Sequence, residues 1–156
     1  MVTKYDVFEI VYKNRASLKP IEVVKKLNKD EREYHVIHKY LRELTKEKLL
    51  TKKKKGFQVE MSKKSELLYN LIFYCMKNGI NYNYLLDKNF AQFISEALQK
   101  DEINSKTMKL NPRTIKKDIG ILSKYGMILI ISEKPLRAKV FYNILLNNLL
   151  VYFGYS

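Results

Sequence analysis

The chain has little cysteine, proline or glycine: one, three and five of its 156 residues, and it has no tryptophan. A single cysteine cannot form an internal disulfide, which excludes disulfide-stapled secreted folds and leads us to expect a reducing, cytoplasmic location. So few prolines and glycines leave little room for linkers or low-complexity tails. No apolar run approaches the ~20 residues needed to cross a bilayer, so we expect no membrane partner.

Sequence patterns typical of catalysis are also missing. There is no glycine-rich phosphate loop, no nucleophile elbow and no pair of carboxylates in a recognisable catalytic context. His35 and His38 lie three residues apart, but zinc normally takes three or four ligands, and Cys75 lies in an apolar segment. We therefore expect neither an enzyme nor a bound metal or other cofactor. Cys75 is interpreted as a small buried side chain.

Positive charge dominates what the sequence does contain. Thirty lysines and arginines stand against 16 acidic residues, which gives a net charge of +14 and a pI near 9.7. Such an imbalance favours a polyanionic partner, and nucleic acid is the commonest. The alternative is a lysine-rich surface that is merely solvated. Hydrophobic residues make up 46% of the chain, which is enough for a folded core.

Residues 111–142 carry the clearest structural pattern. Asn111 is a favourable N-cap, and Pro112 suits the first helical position, where its missing N–H costs nothing. Gly126 suits the end of this helix, because glycine adopts the left-handed C-terminal conformation without steric cost. The apolar residues between them recur at helical spacing: Ile115, Ile119 and Leu122. We therefore predict a helix over residues 112–125.

A hairpin is predicted directly after this helix. Residues 127–131 and 139–142 are apolar and flank the charged segment 132–138, which contains Pro135, so the pattern indicates two strands and a basic turn. The run Arg-Thr-Ile-Lys-Lys-Asp-Ile, starting at Arg113, together with Tyr-Gly-Met-Ile, resembles the recognition helix and wing of DeoR-type and MarR-type regulators. The resemblance covers about thirty residues and implies a winged helix-turn-helix that binds double-stranded DNA.

The first part of the chain has a similar layout. We predict helices over residues 4–13, 20–27 and 31–48, a short strand at residues 17–18, and a hairpin formed by residues 49–53 and 57–61. The tip of this hairpin is strongly basic, with the sequence Lys54-Lys55-Gly56.

The third of these helices is in the same frame as the helix over residues 112–125. The shared apolar positions are Ile37 with Ile115, Leu41 with Ile119, Leu44 with Leu122, and Leu49 with Met127. Lys48 stands where the later copy has Gly126, which weakens the helix stop without removing it. This internal repeat predicts two winged-helix units in tandem.

The segment between the two repeats is predicted to hold further helices. A strongly apolar helix is expected over residues 67–77 and another over residues 90–99, whereas the pattern over residues 82–86 is ambiguous. The segment of residues 100–110 is longer than the usual turn before a recognition helix, and we interpret it as an insertion.

The sequence therefore predicts a mainly α-helical α+β fold with small β-hairpins, organised as a tandem winged helix-turn-helix. The expected divisions are residues 1–61, residues 62–142 and an apolar C-terminal segment, residues 143–156. A large apolar surface marks a contact. We expect this segment to pack on the second unit, to pair with another copy as a homodimer, or to lead into a longer natural protein.

The candidate DNA-binding residues lie off the apolar stripes and on the hairpins. Helix residues would enter the major groove, and hairpin residues would hold the backbone or the minor groove. In the first unit they are Arg32, Tyr34, His35, His38, Lys39, Arg42, Lys52, Lys53, Lys54 and Lys55. In the second unit they are Arg113, Thr114, Lys116, Lys117, Lys134, Arg137 and Lys139, with Lys124 as a further candidate. Each is also compatible with an ordinary solvated surface.

We expect a DNA-binding transcriptional regulator. The main alternative is a winged-helix module that binds protein or regulates a longer polypeptide, because a fold does not fix a function. RNA binding is a third alternative, which shares the charge argument and differs in the ligand preferred.

Overall fold

The computed structural model describes residues 1–104, 108 and 111–155. It has an α+β architecture and divides into two compact units, Met1–Ile72 and Phe73–Ser156. The predicted boundary after residue 61 lies at the start of a helix, Lys63–Lys77, whereas the division falls inside that helix. In the described part of the chain, no helix has both the length and the apolar character needed to span a membrane.

Three helices form the first unit's core: α1 (Lys4–Asn14), α2 (Pro20–Lys26) and α3 (Tyr34–Lys46). The Thr3 hydroxyl accepts a hydrogen bond from the Asp6 N–H, and the Asp6 carboxylate accepts one from the Thr3 N–H, so a capping box starts α1. The buried apolar residues of the three helices are Val7, Phe8, Val11, Val23, Val24, Ile37, Leu41 and Leu44. The first two predicted helices are confirmed.

The third predicted helix is shorter than expected at both ends. Glu31–Glu33 form a 3-10 turn that Asp30 caps by accepting a hydrogen bond from the Arg32 N–H, and the α-helix starts only at Tyr34. At the other end the chain reverses at Lys48, where φ is +62°. Arg32 therefore precedes α3 and is not one of its residues.

A hairpin completes the first unit. Strand β1 (Leu50–Lys53) pairs antiparallel with β2 (Gly56–Val59), as predicted. Leu18 pairs with the other edge of β2, because the backbones of Leu18 and Phe57 exchange hydrogen bonds of 2.8 and 2.7 Å. Strand β2 therefore lies between β1 and Leu18.

The described part of the second unit contains the end of α4 (Lys63–Lys77), and then α5 (Tyr82–Leu85), α6 (Lys88–Gln99), α7 (Pro112–Lys124) and α8 (Ile144–Phe153). The helix predicted from residue 67 starts earlier, because the Ser62 hydroxyl accepts a hydrogen bond from the Ser65 N–H and caps its first turn. Asn111 caps α7 by accepting from the Arg113 N–H, which confirms the predicted start of that helix.

A three-stranded sheet follows the order β3 (Ile103–Asn104), β5 (Leu136–Val140), β4 (Ile128–Glu133). The short strand β3 lies in the segment predicted to be an insertion, and residues 105–107, 109 and 110 of that segment lie outside the described residues. The turn predicted over residues 132–138 is too long. Glu133 pairs with Leu136, and the fully buried Ala138 pairs with both neighbouring strands, β3 and β4. Arg137 is therefore part of strand β5.

The C-terminal segment packs within its own unit. Helix α8 contacts α6 and buries four leucines, Leu145, Leu146, Leu149 and Leu150. Of the three expectations for this segment, packing on the second unit is the arrangement observed. The homodimer stays a prediction.

The helices α3 and α7 end in the same way. Each is followed by a residue of positive φ, Lys48 or Gly126, and by a backbone hydrogen bond that spans the reversal. These bonds join the Leu49 N–H to the Leu44 carbonyl (2.9 Å) and the Met127 N–H to the Leu122 carbonyl (2.8 Å). The frame predicted from the shared apolar positions is thus repeated in the backbone.

Candidate nucleic-acid interface

The outward side of α3 carries exposed basic residues. The opposite side of this helix is buried in the core. The residues that are exposed to solvent on the outward side are His35, Lys39, Arg42 and Lys46. The Lys39 ammonium lies 3.9 Å from the Glu43 carboxylate, and the Arg32 guanidinium lies 3.4 Å from that of Asp30. Exposed pairs of this kind contribute little and are screened by salt. Both cations therefore remain able to meet a phosphate.

Tyr34 and His38 form a stacked pair instead of two independent groove contacts. Their ring centroids are 5.9 Å apart with an interplanar angle of 7°, and His38 also meets the edge of Phe57 at 6.2 Å. Burial lowers the pKa of His38, and the positive charges of Arg42 and Lys52 lower it further. Because Arg42 lies on α3 and Lys52 on β1, helix and hairpin contribute positive charge to the same location.

The first hairpin presents four lysines to solvent. Lys52, Lys53, Lys54 and Lys55 are all exposed, and within the described residues none of them forms a salt bridge. Four uncompensated charges on one short hairpin create a strongly positive local potential. The predicted basic tip is therefore accessible to a polyanion.

The outward side of α7 resembles that of α3. Its exposed basic residues are Arg113, Lys116, Lys117 and Lys124, and Thr114 is half-buried. The Lys124 ammonium lies 5.6 Å from the ring centroid of Tyr84 and 5.6 Å from that of Tyr125. These cation–π contacts position Lys124 at the end of α7. Gly120 occupies the position at which α3 has Arg42.

The second hairpin has two free cations and one paired cation among those predicted. Lys134 and Lys139 are exposed. Arg137 Nε donates to Glu102 Oε1 at 2.9 Å, and an Arg137 terminal nitrogen donates to Oε2 at 3.1 Å. This bidentate pair raises the pKa of Arg137 and lowers the pKa of Glu102. Arg137 is thus partly neutralised where the sequence alone suggested a free charge.

One basic residue of this surface was missed by the sequence argument. Lys46 is exposed and continues the helical spacing of Lys39 and Arg42. The internal repeat is the signal that identifies it. The equivalent outward positions are His35 with Arg113, Lys39 with Lys117, and Lys46 with Lys124.

The sequence predicted no metal site and a buried Cys75. Within the described ranges, no group of three or more histidine, cysteine, aspartate or glutamate side chains is placed to hold a metal ion. Cys75 is buried, which confirms its interpretation as a small core residue. Comparison with protein-family models, with curated proteins and with solved structures finds no match.

Proposed function

We propose that the chain is a DNA-binding transcriptional regulator in which each unit is a winged helix-turn-helix. In this proposal α3 and α7 are the recognition helices, and the two hairpins are the wings. The strand orders support it, because in both units the last strand lies between the first hairpin strand and a short segment that precedes the recognition helix. A recognition helix followed by a hairpin is the arrangement that this fold requires.

The observation that carries the proposal is the exposure of basic residues at equivalent positions of α3 and α7. A major groove admits one helix, and the outward side chains of that helix then meet base edges and phosphates. Arg113 and Arg42 can donate two hydrogen bonds to a guanine edge, whereas lysines act mainly as point charges on phosphate. The hairpin lysines would hold the backbone and set the register of the helix.

Salt dependence and sequence preference together test the proposal. A preferred duplex would be selected from a random library, and its affinity measured by fluorescence anisotropy against a scrambled duplex. If about 6–10 cations neutralise phosphates, the affinity should fall by about three to five decades between 50 and 200 mM salt. The preferred duplex should bind at least about a thousandfold more tightly than the scrambled one. An affinity indifferent to both salt and sequence would overturn the proposal.

A charge-matched pair of variants separates recognition from general electrostatics. Arg113→Ala with Lys117→Ala removes two charges from α7, and Lys77→Ala with Lys88→Ala removes two exposed charges from elsewhere in the same unit. We expect the first pair to weaken binding to the preferred duplex by about 10–100-fold, at one to three kcal/mol for a good base contact. The second pair should change it by only about threefold. Equal losses would argue against α7 as a recognition helix.

A second candidate function, protein binding, has a specific observation in its favour. The second unit exposes large apolar side chains on and after β4: Leu129 (51%), Ile131 (48%) and Ile144 (63%) are exposed to these fractions. Exposed large apolar side chains can mark a contact surface. The homodimer belongs to this candidate, and light scattering over a range of protein concentrations tests it. A monomer at all concentrations would count against self-association.

A further inference from the structure

We propose that a small cavity between the start of α6 and α7 binds a hard divalent cation of the Mg²⁺ class. The cavity has a volume of about 100 Å³, and the residues that line it include Asp87, Asn89, Thr114, Lys117 and Asp118. Tyr84 lies at the same cavity. Thr114 and Lys117 belong to the proposed DNA-binding surface as well, although cation binding itself does not require DNA.

Asp118 is the residue that points to a ligand. Its side chain is only 4% exposed, and among the described residues its Oδ2 has no hydrogen-bond partner. The other buried carboxylate, that of Glu9, has the Lys13 ammonium 2.5 Å away. A buried charge without a partner is strongly destabilising, and such groups are normally paired or coordinate a metal. Within the described residues no cation forms a salt bridge with Asp118, whereas Glu9 has Lys13.

Burial and two neighbouring charges shift the pKa of Asp118. Burial raises its pKa to about 6, with the negative charge of Asp87 adding to the rise and the positive charge of Lys117 opposing it. Lys117 is exposed and makes no salt bridge with Asp118 within the described residues.

Asp87 supplies a second oxygen at the same cavity. Its Oδ1 caps α6 by accepting hydrogen bonds from the Asn89 N–H at 2.7 Å and the Phe90 N–H at 3.2 Å. Both capping bonds use Oδ1, so Oδ2 is left outside the cap. Two carboxylates that repel each other at one cavity would both be stabilised by one cation between them.

The donor set selects the class of cation. Asp87, Asp118, Asn89 and Thr114 all carry side-chain oxygen, and Lys117 is the cationic residue among the described residues of the lining. None of those residues is a histidine or a cysteine, which disfavours transition metals. Mg²⁺ is typically bound through one or two carboxylates and keeps several of its waters.

Thermal unfolding with and without Mg²⁺ tests the site in the absence of DNA. We expect a saturable rise in the midpoint temperature of the wild-type chain, by about 4 °C at ten times the dissociation constant. Asp118→Asn should abolish the rise, while Glu133→Gln, which removes an exposed charge from the same unit, should retain it. Asp87→Asn is a second site variant, because asparagine can still cap α6.

Terbium luminescence gives a second readout, since Tyr84 lines the cavity and tyrosine transfers excitation energy to a nearby Tb³⁺ ion. We expect sensitised emission that Mg²⁺ displaces, and that Asp118→Asn and Tyr84→Leu both reduce. The absence of any saturable Mg²⁺ effect on the wild-type chain would overturn the proposal. So would a Mg²⁺ effect of equal size in Asp118→Asn, because it would place the cation elsewhere.

Discussion

Lys48 and Gly126 occupy the same left-handed position at the ends of equivalent helices, with φ of +62° and +68°. In each case the next residue donates its N–H back to the last apolar residue of the helix, Leu44 or Leu122. A left-handed conformation places Cβ too close to the carbonyl oxygen for an L-residue, and only glycine avoids that cost. The helix of the first unit therefore ends with the same backbone conformation as that of the second, but the left-handed position is occupied by a less favourable residue.

Substitutions at these two helix ends should change the free energy of unfolding in opposite directions. Lys48→Gly is expected to stabilise the first unit by about 1 kcal/mol, and Gly126→Ala to destabilise the second by about 1 kcal/mol. The change at Gly126 should add no new contact, because a Cβ there would meet no atom within 4 Å. Urea unfolding measures both. As a control, Lys39→Gly, inside α3, should destabilise by about 1 kcal/mol.

Local signals made most of the helices predictable. Asn111, Pro112 and Gly126 mark the two ends of α7, and the apolar spacing of α3 and α7 is read directly from neighbouring residues. Short strand β3 has no such signal, because its two residues are strands only through pairing with β5, far along the chain. Local patterns cannot report a long-range pairing of this kind.

The same limit applied to the candidate site. The positions of outward residues on α3 and α7 follow from helical period alone, so their exposure was predictable. The pairing of Arg137 with Glu102 was not, because it depends on the register that sets Asn104 opposite Arg137. The burial of Asp118 also escaped prediction, since a charged residue in a basic helix is usually solvated.

Substitution of Gly56 should disrupt the first unit much more than substitution of Gly126. An added Cβ at Gly56 would lie 2.2 Å from the Leu18 carbonyl oxygen, and φ there is +130°. Either the hairpin or the Leu18 bridge would have to move. We expect Gly56→Ala to destabilise by about 3 kcal/mol or more in urea unfolding. Gly126→Ala isolates the backbone cost, and a similar loss in both variants would contradict the predicted clash.

His38 should make the first unit less stable in mild acid. Its pKa in the folded chain is lowered from 6.5 by burial and by the charges of Arg42 and Lys52, so the unfolded chain binds the proton more readily. The penalty is absent above pH 6.5 and grows as the pH falls through that value towards the folded pKa. His38→Gln should remove it, as measured by urea unfolding at about pH 7.5 and about pH 5.

Lys52→Gln provides the matched test of the cause. Removing the Lys52 charge should raise the pKa of His38 towards its ordinary value and reduce, without abolishing, the loss of stability in acid. An NMR titration of the His38 ring would measure the change directly. An unchanged titration in this variant would show that hairpin and helix charges do not act on the same site.

Cys75 should be inert in the folded chain. It is 2% exposed, and burial raises the pKa of its thiol to about 11, so little thiolate is present or accessible. A chromogenic disulfide reagent should react about 100-fold or more slowly in buffer than in urea. Ser123→Cys adds an exposed thiol on α7 and should react at once. Fast reaction of the wild-type chain would mean that α4 opens readily.

The pairing of Glu102 with Arg137 predicts that removing an acidic side chain will strengthen DNA binding, provided that the chain binds DNA as proposed. Glu102→Gln removes the carboxylate to which the Arg137 guanidinium donates hydrogen bonds of 2.9 and 3.1 Å. The guanidinium then becomes available to phosphate. We expect affinity at low salt to rise several-fold and the salt slope to steepen by about one. Anisotropy titrations over a range of salt concentrations measure both quantities.

Glu133→Gln distinguishes release of Arg137 from a general gain of positive charge. It neutralises an exposed glutamate on β4 of the same hairpin, and Glu133 forms no salt bridge in the described part of the chain. Screening limits the influence of such a charge at a distance, so its effect on affinity should be smaller and should vanish at moderate salt. In an Arg137→Gln background, Glu102→Gln should then do no more than Glu133→Gln. If the two glutamate variants act equally in the wild-type background, Arg137 does not touch the nucleic acid, and the second wing must bind through Lys134 and Lys139 alone.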